Sequence, residues 1–358
     1  MRKQDIAQIG GNFMSFRIFV ATIVVLGLGC SAVCAQPQPS TFFKNRIGLS
    51  ESDIQNIEQG QVVTKVLDTG DKYGLLVFGA VYISAPIPKF AAAYRDVNTL
   101  LKDKVYLAVQ EFSQVGNPPK PSDFARLELD KKDVDEFGSC KPGDCDLQIL
   151  GNFEANKAKI NWKSPDRYNQ MNQLVREAIY QGMTKYQAGG LKEMGSYRDR
   201  EKPLSIYQAT KDMIDRSFYL PKDKVPAIYS HVIDYPQGKL AGAEDFFYWE
   251  KIDFGQEPTI RVNHVTLFPQ GFGPIKYMIS NKQLYSTRYI RVALQMFYCV
   301  PDTQNPNKPG FYLIEMNDSQ MPDFGGLKLS IVRKVATGKA VEGTTNTLAL
   351  YKRVLDGK

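Results

Sequence analysis

The spacing of apolar residues changes twice along the chain, so the sequence divides into a strand-rich start, a helical middle and a strand-rich end. Strand patterns cover 62–67, 73–84 and 105–112, and the second is apolar on both faces, which is typical of a covered strand. A capping box at Ser50 and Asp53 predicts that a short helix begins there, ahead of the first strand. Pro86-Ile-Pro88 begins a second predicted helix, whose stripe contains Phe90, Tyr94, Val97, Leu100 and Leu101.

The middle of the chain has helical spacing. Ser164-Pro165-Asp166 is a helix start, and the apolar stripe that follows it continues to Gly189-Gly190. Two more helical stretches are predicted over 203–216 and 225–232. These segments form a predicted helical insert, about 164–240.

From Phe246 onward, strand patterns return over 259–268, 275–279, 287–300 and 311–316, with short connections that favour antiparallel pairing. A strand or irregular piece is predicted over 327–335. A closing amphipathic helix is predicted from Thr344 to Leu355. The predicted fold class is α+β, with an antiparallel sheet and a long C-terminal helix.

The first residues have the order of a secretory signal. A basic start precedes an apolar run from Ile18 to Leu28, and Val33-Cys-Ala35 supplies small residues for cleavage after Ala35. The run is shorter than the roughly 20 residues of a membrane span. We expect a signal over 1–35, a tether over 36–48, and one domain over 49–358. Translation from Met14 is an alternative start, and lipid attachment at Cys30 is an alternative to full release.

Charge excludes some partners. The whole chain has a net charge of +7, and removal of 1–35, with three basic residues and one acidic residue, leaves +5. Because this charge is small and interspersed, neither nucleic acid nor an anionic membrane surface is expected as a partner. No segment after the signal is apolar enough to span a bilayer. The expected location is periplasmic or secreted.

The cysteines fit an oxidising compartment. Cys140 and Cys145 flank Lys141-Pro-Gly-Asp144, whose proline and glycine favour a tight turn, so a disulfide is predicted. A redox or metal pair is the alternative, but the spacing is not Cys-x-x-Cys and no histidine is near. Cys299 lies in an apolar strand and is predicted to be a buried free thiol.

Known catalytic motifs are absent from the sequence, including the nucleophile elbow, zinc-protease, phosphate-loop and dinucleotide patterns. Only His231 and His264 are present, so no metal site and no cofactor is predicted.

A polar and aromatic group on the strands is the candidate ligand site. Alternation places His264 in the apolar wall of 259–268, and it places Tyr285, Thr287, Tyr289, Arg291, Ala293, Gln295 and Phe297 on one face. Rings with a few hydrogen-bonding groups are what a mostly apolar ligand needs. The predicted ligand-binding residues are His264, Tyr285, Tyr289, Arg291 and Trp249. Core packing or solvent exposure is the alternative role for each of them.

The element order resembles the START-like helix-grip superfamily, which includes polyketide cyclases and lipid-transfer proteins. The resemblance rests on the leading strand, on Ser84-Ala-Pro-Ile-Pro88 with Tyr94-Arg-Asp-Val97, on the antiparallel strands and on the final helix. It covers about 61–150 and 244–358, and the helical insert and the disulfide loop depart from it. Cys140 to Asp146 also resembles a stretch of uncharacterised exported bacterial proteins.

The resemblance implies a curved sheet that grips the C-terminal helix around an apolar cavity. The implied function is non-catalytic binding or carriage of a hydrophobic small molecule, such as a lipid. One alternative is a hydrolase or cyclase that uses His264 as general base with Ser286 or Tyr289. A second is a structural or interaction protein of the cell envelope. A cavity of about 300 Å³ or more between the sheet and the last helix would favour binding.

Overall fold

The structure is a computed structural model that describes residues 39–113, 119–148, 150, 153–303, 310–323 and 326–357. The predicted signal, the alternative start and lipidation site, and the first residues of the predicted tether lie outside the described residues. In the described part, no helix is both long and apolar enough to cross a bilayer.

The N-terminal elements follow the sequence patterns closely. They are α1 (Pro39–Phe42), α2 (Glu51–Glu58), β1 (Val63–Leu67), β2 (Gly74–Ile83), α3 (Ile87–Arg95) and β3 (Tyr106–Glu111). The predicted capping box begins α2: Asp53 N–H donates to Ser50 Oγ at 3.1 Å, and Ser50 N–H donates to Asp53 Oδ2 at 3.0 Å. The helix predicted to reach Leu101 ends earlier, and a 3₁₀ helix, Val97–Lys102, follows it.

A helical segment lies between β3 and the next long strand. It contains α4 (Lys131–Ser139), α5 (Phe153–Ala158), α6 (Arg167–Gly189), the short strands β4 (Ser196–Tyr197) and β5 (Leu204–Ser205), α7 (Ile206–Arg216) and α8 (Pro226–Asp234). The predicted disulfide between Cys140 and Cys145 is present at the end of α4, with the two Cα atoms 4.9 Å apart. The loop that it closes turns at Gly143, where φ is +81°.

The C-terminal half supplies five long strands and one long helix. The strands are β6 (Glu244–Ile252), β7 (Thr259–Phe268), β8 (Tyr277–Ser286), β9 (Val292–Pro301) and β10 (Phe311–Gln320), and the helix is α9 (Gly326–Asp356). Within the described residues, eight strands form one antiparallel sheet in the order β1-β2-β10-β9-β8-β7-β6-β3. The α+β class, with a large antiparallel sheet and a long last helix, is therefore confirmed.

Each face of the sheet is covered by different helices. On one face, β2, β7 and β9 contribute Phe78, Val262 and Met296 to an apolar cluster with the helical segment and α2. On the other, Val81, Val265 and Phe297 from the same strands pack with α3 and α9. We call these the segment face and the α9 face. Cys299 is a buried free thiol on the α9 face, as predicted.

Two element predictions in the C-terminal half are wrong. The piece over 327–335 is the beginning of α9 and not a strand. Ile331 and Val335 are apolar but exposed on this helix, so the sequence shows no buried helical stripe there. The strand predicted over 287–300 begins only at Val292, because residues 287–291 form the reversal between the end of β8 at Ser286 and the start of β9.

Candidate functional site

A cavity of about 890 Å³ lies between the α9 face of the sheet and α9. The helix contributes one stripe, which extends from Ile331 to Tyr351. At a rise of 1.5 Å per residue, this stripe is about 30 Å long. The volume exceeds the roughly 300 Å³ at which ligand sites begin.

Side-chain amides line the sheet wall of this cavity. Four strands place five amides there: Asn263 of β7, Asn281 and Gln283 of β8, Gln295 of β9 and Asn317 of β10. The Asn281 amide donates to Tyr248 Oη at 2.9 Å and to Gln295 Oε1 at 3.4 Å, and Gln295 Nε2 donates to Glu315 Oε1 at 2.7 Å. A hydrogen-bonded polar row thus links Tyr248 of β6 with Asn281, Gln295 and Glu315 on the neighbouring strands β8, β9 and β10.

Two buried glutamates support this row. Glu250 is fully buried and pairs with Arg261, and its Oε1 also accepts from Asn263 Nδ2 at 3.2 Å. Among the described residues, Glu315 has no such cation, and burial raises the pKa of its carboxyl to about 8, so it is mainly protonated at neutral pH. Because one glutamate is paired with arginine and the other is mainly neutral, the polar row has little net charge.

The two ends of the α9 stripe differ in exposure. At the C-terminal end, Tyr351 is 2% exposed and stacks on Tyr94 with ring centroids 5.3 Å apart. At the N-terminal end, Ile331 is 68% exposed and Val335 is 44% exposed. The cavity therefore has a buried aromatic end and an open apolar end.

The loop 287–291 borders the cavity beside the helical segment. Gln148 and Gln283 both donate to the Ile290 carbonyl, at 3.0 and 3.2 Å. Arg288 in this loop pairs with Asp133 and Glu136 of α4 at 2.6 and 2.7 Å. Tyr289 has a φ of +63°, a left-handed conformation that costs a non-glycine residue roughly 1–3 kcal/mol and persists only where its surroundings fix it.

Of the five predicted ligand-binding residues, the structure places Tyr289 on the cavity. Trp249 is buried on the segment face, where its Nε1 donates to the Asp123 carbonyl at 2.8 Å. Arg291 forms a buried ion pair with Asp199 at 2.5 Å. These three residues are thus not brought together around one ligand.

Tyr285 and His264 also lie on the segment face. A bulge at Leu284 separates the pairs Val262–Tyr285 and Asn263–Gln283, and so turns Tyr285 away from the face of Gln283. Tyr285 and Gln295 therefore do not share the face that strict alternation predicts. Contact of any of the five with a ligand stays a prediction.

His264 belongs to a buried hydrogen-bond network that joins the helical segment to the sheet. Asp245 Oδ1 lies 2.8 Å from His231 Nε2, 2.9 Å from His264 Nε2 and 2.8 Å from Thr266 Oγ1. Its other oxygen, Oδ2, has no partner among the described residues. The five members of this Asp245 network are Asp245, His231, His264, Thr266 and Tyr186, and all are buried.

The hydrogen bonds at the far ring nitrogens fix the histidine tautomers. Leu240 N–H donates to His231 Nδ1 at 2.8 Å, so the ring proton of neutral His231 is on Nε2 and is donated to Asp245. Tyr186 Oη lies 2.6 Å from His264 Nδ1, and burial raises the pKa of this phenol well above its usual value, so its O–H is available to donate. His264 then also donates from Nε2 to Asp245.

His231, Asp245 and His264 are also the only group in the described residues whose side chains could hold a metal ion. Their ligand atoms lie within 4.8 Å of one another. A metal on His231 Nε2 would require the ring proton on Nδ1, where Leu240 N–H already points. Lys282 is buried nearby, over the Tyr186 ring at 5.4 Å. These contacts fit a structural network better than a metal centre.

Sequence reasoning missed the polar row, although a signal for it exists. Each of β7 to β10 contains at least one amide residue among apolar ones, and an amide that such a strand buries needs a hydrogen-bond partner. The link between Asp245 and the two histidines has no comparable signal, because the three residues come from different elements.

Acid conditions should destabilise the protein through His264. Burial lowers the pKa of His264 to about 4, from 6.5 in an unfolded chain. The unfolded state therefore binds the proton first, so this contribution to stability is complete above pH 6.5 and is lost as the pH falls to 4. We expect a shallower dependence of the unfolding free energy on pH in this window for His264→Gln, measured by urea denaturation.

The wild-type slope also contains Asp318 and Glu315, because burial raises the pKa of these carboxyls to about 7 and 8. Both are unchanged in the variant, so the difference between the two proteins reports on His264 and on its hydrogen-bonded partner Asp245. Equal slopes in both proteins would contradict a neutral, buried His264.

Comparisons with known proteins do not assign a family. No family model matches the chain, and no curated protein matches it. Among solved structures, the ZhuI aromatase/cyclase from Streptomyces sp. R1128 is similar at 13% identity, over 38% of this chain and 82% of that one, with a TM-score of 0.24. This similarity is too low to carry an argument about the site.

Proposed function

We propose that this protein binds a small, elongated and mostly apolar molecule in the cavity between the sheet and α9. The observation that carries the proposal is the cavity itself, whose volume of about 890 Å³ is within the range of ligand sites. Apolar and aromatic side chains of the sheet and of α9 supply part of its wall, which suits the apolar part of a ligand, and amide and charged side chains supply the rest.

A lipid or a similar hydrophobic molecule, carried across an aqueous compartment, is the ligand that we favour. The open end with Ile331 and Val335 supports it, since exposed apolar residues beside a cavity would be covered by an apolar ligand. We also propose export to the periplasm or beyond. The signal pattern of 1–35 and the Cys140–Cys145 disulfide support this location.

No observation favours the enzymatic alternative with His264. Its ring stacks on Phe247 with centroids 4.6 Å apart, on the segment face. A general base must reach the proton that it removes, and the sheet separates this ring from the cavity.

Two glycines of α9 give a matched test of the proposal. Gly343 lines the cavity, Gly338 does not, and a Cβ at either position meets no other atom within 4 Å. We expect Gly343→Phe to fill the cavity and to weaken binding of a fluorescent fatty-acid probe at least tenfold. Gly338→Phe should bind it like the wild type.

Calorimetric melting of both variants controls for changes in folding. If the wild type binds neither the fatty-acid probe nor lipids extracted from its own host, the proposal is wrong. Equal binding by the wild type and Gly343→Phe would place the ligand outside this cavity.

A further inference from the structure

Two buried glutamines lie side by side in the wall of the cavity. Gln148, which follows the disulfide loop, and Gln283 of β8 both line it, and their exposed fractions are 1% and 3%. Each Nε2 donates to the carbonyl oxygen of Ile290, at 3.0 Å from Gln148 and 3.2 Å from Gln283. Because both are bonded to one atom, the two amide groups meet at the loop 287–291. We call these two residues the glutamine pair.

The backbone fixes which atom of each amide remains free. A backbone carbonyl only accepts, so the nitrogen of each glutamine, and not its oxygen, is bonded to Ile290. Gln148 Nε2 also donates to the Ser286 carbonyl at 3.0 Å, so two backbone acceptors hold this amide. The free atom of each amide is therefore its Oε1, which is an acceptor.

These two oxygens and a third one on the same wall lack a donor. Among the residues that the structure describes, Gln148 Oε1, Gln283 Oε1 and Asn281 Oδ1 are buried and have no hydrogen-bond partner. Asn281 lines the cavity, and it lies two residues before Gln283, on the same face of β8. An amide oxygen that leaves water without gaining a donor is unfavourable. A ligand that donates to these acceptors would offset this cost.

The chemistry of these acceptors favours a hydroxyl over other polar groups. A carboxylate, ketone, ester or ether only accepts, so none of them supplies the donor. An ammonium ion donates, but an amide oxygen has no full charge to offset that of a buried ion. The carboxylates of Glu136 and Asp146, in the same wall, are already paired with Arg288 and Arg200. A hydroxyl donates and adds no charge.

We propose that the ligand carries at least one uncharged hydroxyl group, which donates to the free amide oxygens of the glutamine pair and Asn281 while its apolar part extends along α9 towards Ile331. This inference rests on the proposed function and adds the chemical class of the ligand, a long-chain alcohol. A fatty acid meets the same requirement when its carboxyl is protonated. Gln283 and Asn281 are then specificity-determining residues.

The test uses two isomers of equal chain length, 1-decanol and methyl nonyl ether, in isothermal titration calorimetry. Both have an oxygen that accepts, but only the alcohol donates. One or two hydrogen bonds should make the alcohol bind the wild type about three- to thirtyfold more tightly than the ether. Decylamine, which is charged at neutral pH, should bind more weakly than the alcohol.

Two substitutions test the assigned acceptors. Gln283→Met and Asn281→Leu each remove an amide and keep a side chain of similar size, so each should lower the ratio of alcohol to ether affinity. The double variant should bring this ratio to one or below. In Gln283→Met, the Ile290 carbonyl keeps its bond from Gln148, so the loop 287–291 remains anchored.

Gln110→Met is the matched control. Gln110 on β3 also has a buried Oε1 without a partner in the described part of the chain, but this residue does not line the cavity. The variant should keep the wild-type ratio. Calorimetric melting checks that each variant is folded, and the two single variants carry the test if the double variant is not.

Binding of the ether or of decylamine by the wild type as tightly as the alcohol would overturn the hydroxyl inference and leave the proposed function intact. A wild-type ratio in the variants of Gln283 and Asn281 would also overturn it. If the wild type binds the fatty-acid probe but neither isomer, this inference alone is wrong. Failure to bind any of the three would count against both proposals.

Discussion

Asp245→Ala should be the most destabilising single substitution considered for this protein. His231, His264 and Thr266 all donate to Asp245 Oδ1, at 2.8, 2.9 and 2.8 Å. Alanine would leave three buried donors without their acceptor, in an interior where Lys282 also lies. We expect a loss of about 3–5 kcal/mol of unfolding free energy by urea denaturation, a large part of an ordinary domain's stability.

Asp130→Ala is the control for this substitution. Asp130 also accepts from a neighbouring side chain, Lys251 at 2.6 Å, but its own side chain is 43% exposed, and solvent screening makes such a pair weak. Little change is expected there. Asp245→Asn keeps an acceptor oxygen and should fall between the two. A loss at Asp245→Ala as small as at Asp130→Ala would contradict the role of the network.

Gly79→Val should separate α9 from the sheet. A Cβ at Gly79 in β2 would lie 2.6 Å from Thr344 Cγ2 and 2.7 Å from Leu348 Cδ1, and carbon atoms do not approach so closely. We expect a loss of about 1–3 kcal/mol from overpacking and weaker binding of the fatty-acid probe, since α9 is one wall of the cavity. Urea denaturation and probe titration measure the two effects.

The companion variant is Leu348→Ala, which removes the contacted methyl groups and has its own cavity cost of about 2–5 kcal/mol. In the double variant, the two losses should sum to less than the separate values, because the valine occupies space that leucine leaves. Strict additivity would mean that Gly79 does not set the distance between β2 and α9.

The sequence pattern predicted where helices and strands lie better than it predicted which face of the sheet each side chain occupies. Period and capping predicted α2, β1, β2 and the helices near 164–189, 203–216 and 225–232, because these signals are local to the backbone. The bulge at Leu284 and the reversal over 287–291 are also local. Either one, however, changes which face of the sheet strict alternation assigns to the residues that follow it. The predicted common face of Tyr285 and Gln295 failed for that reason.

The start of α9 was missed for a different physical reason. Its first turns border a cavity and solvent, so Ile331 and Val335 are not matched by a buried stripe of the usual spacing. The second half, predicted from Thr344, packs Leu348, Tyr351 and Leu355 into the core and has a regular stripe. Amphipathic periodicity reports packing, and it fails where a helix faces a cavity.

The sequence by itself determined the α+β class, the antiparallel strands, the closing helix and the disulfide between Cys140 and Cys145. Each depends on residues that are close in the chain or on composition. Only the tertiary structure decided which polar residues share a site. The Asp245 network joins α6, α8, β6 and β7, and the cavity wall is built from α3, β3, β6 and α9 among other elements. Such groups depend on strand order and helix docking, which non-local packing sets and which no periodicity records.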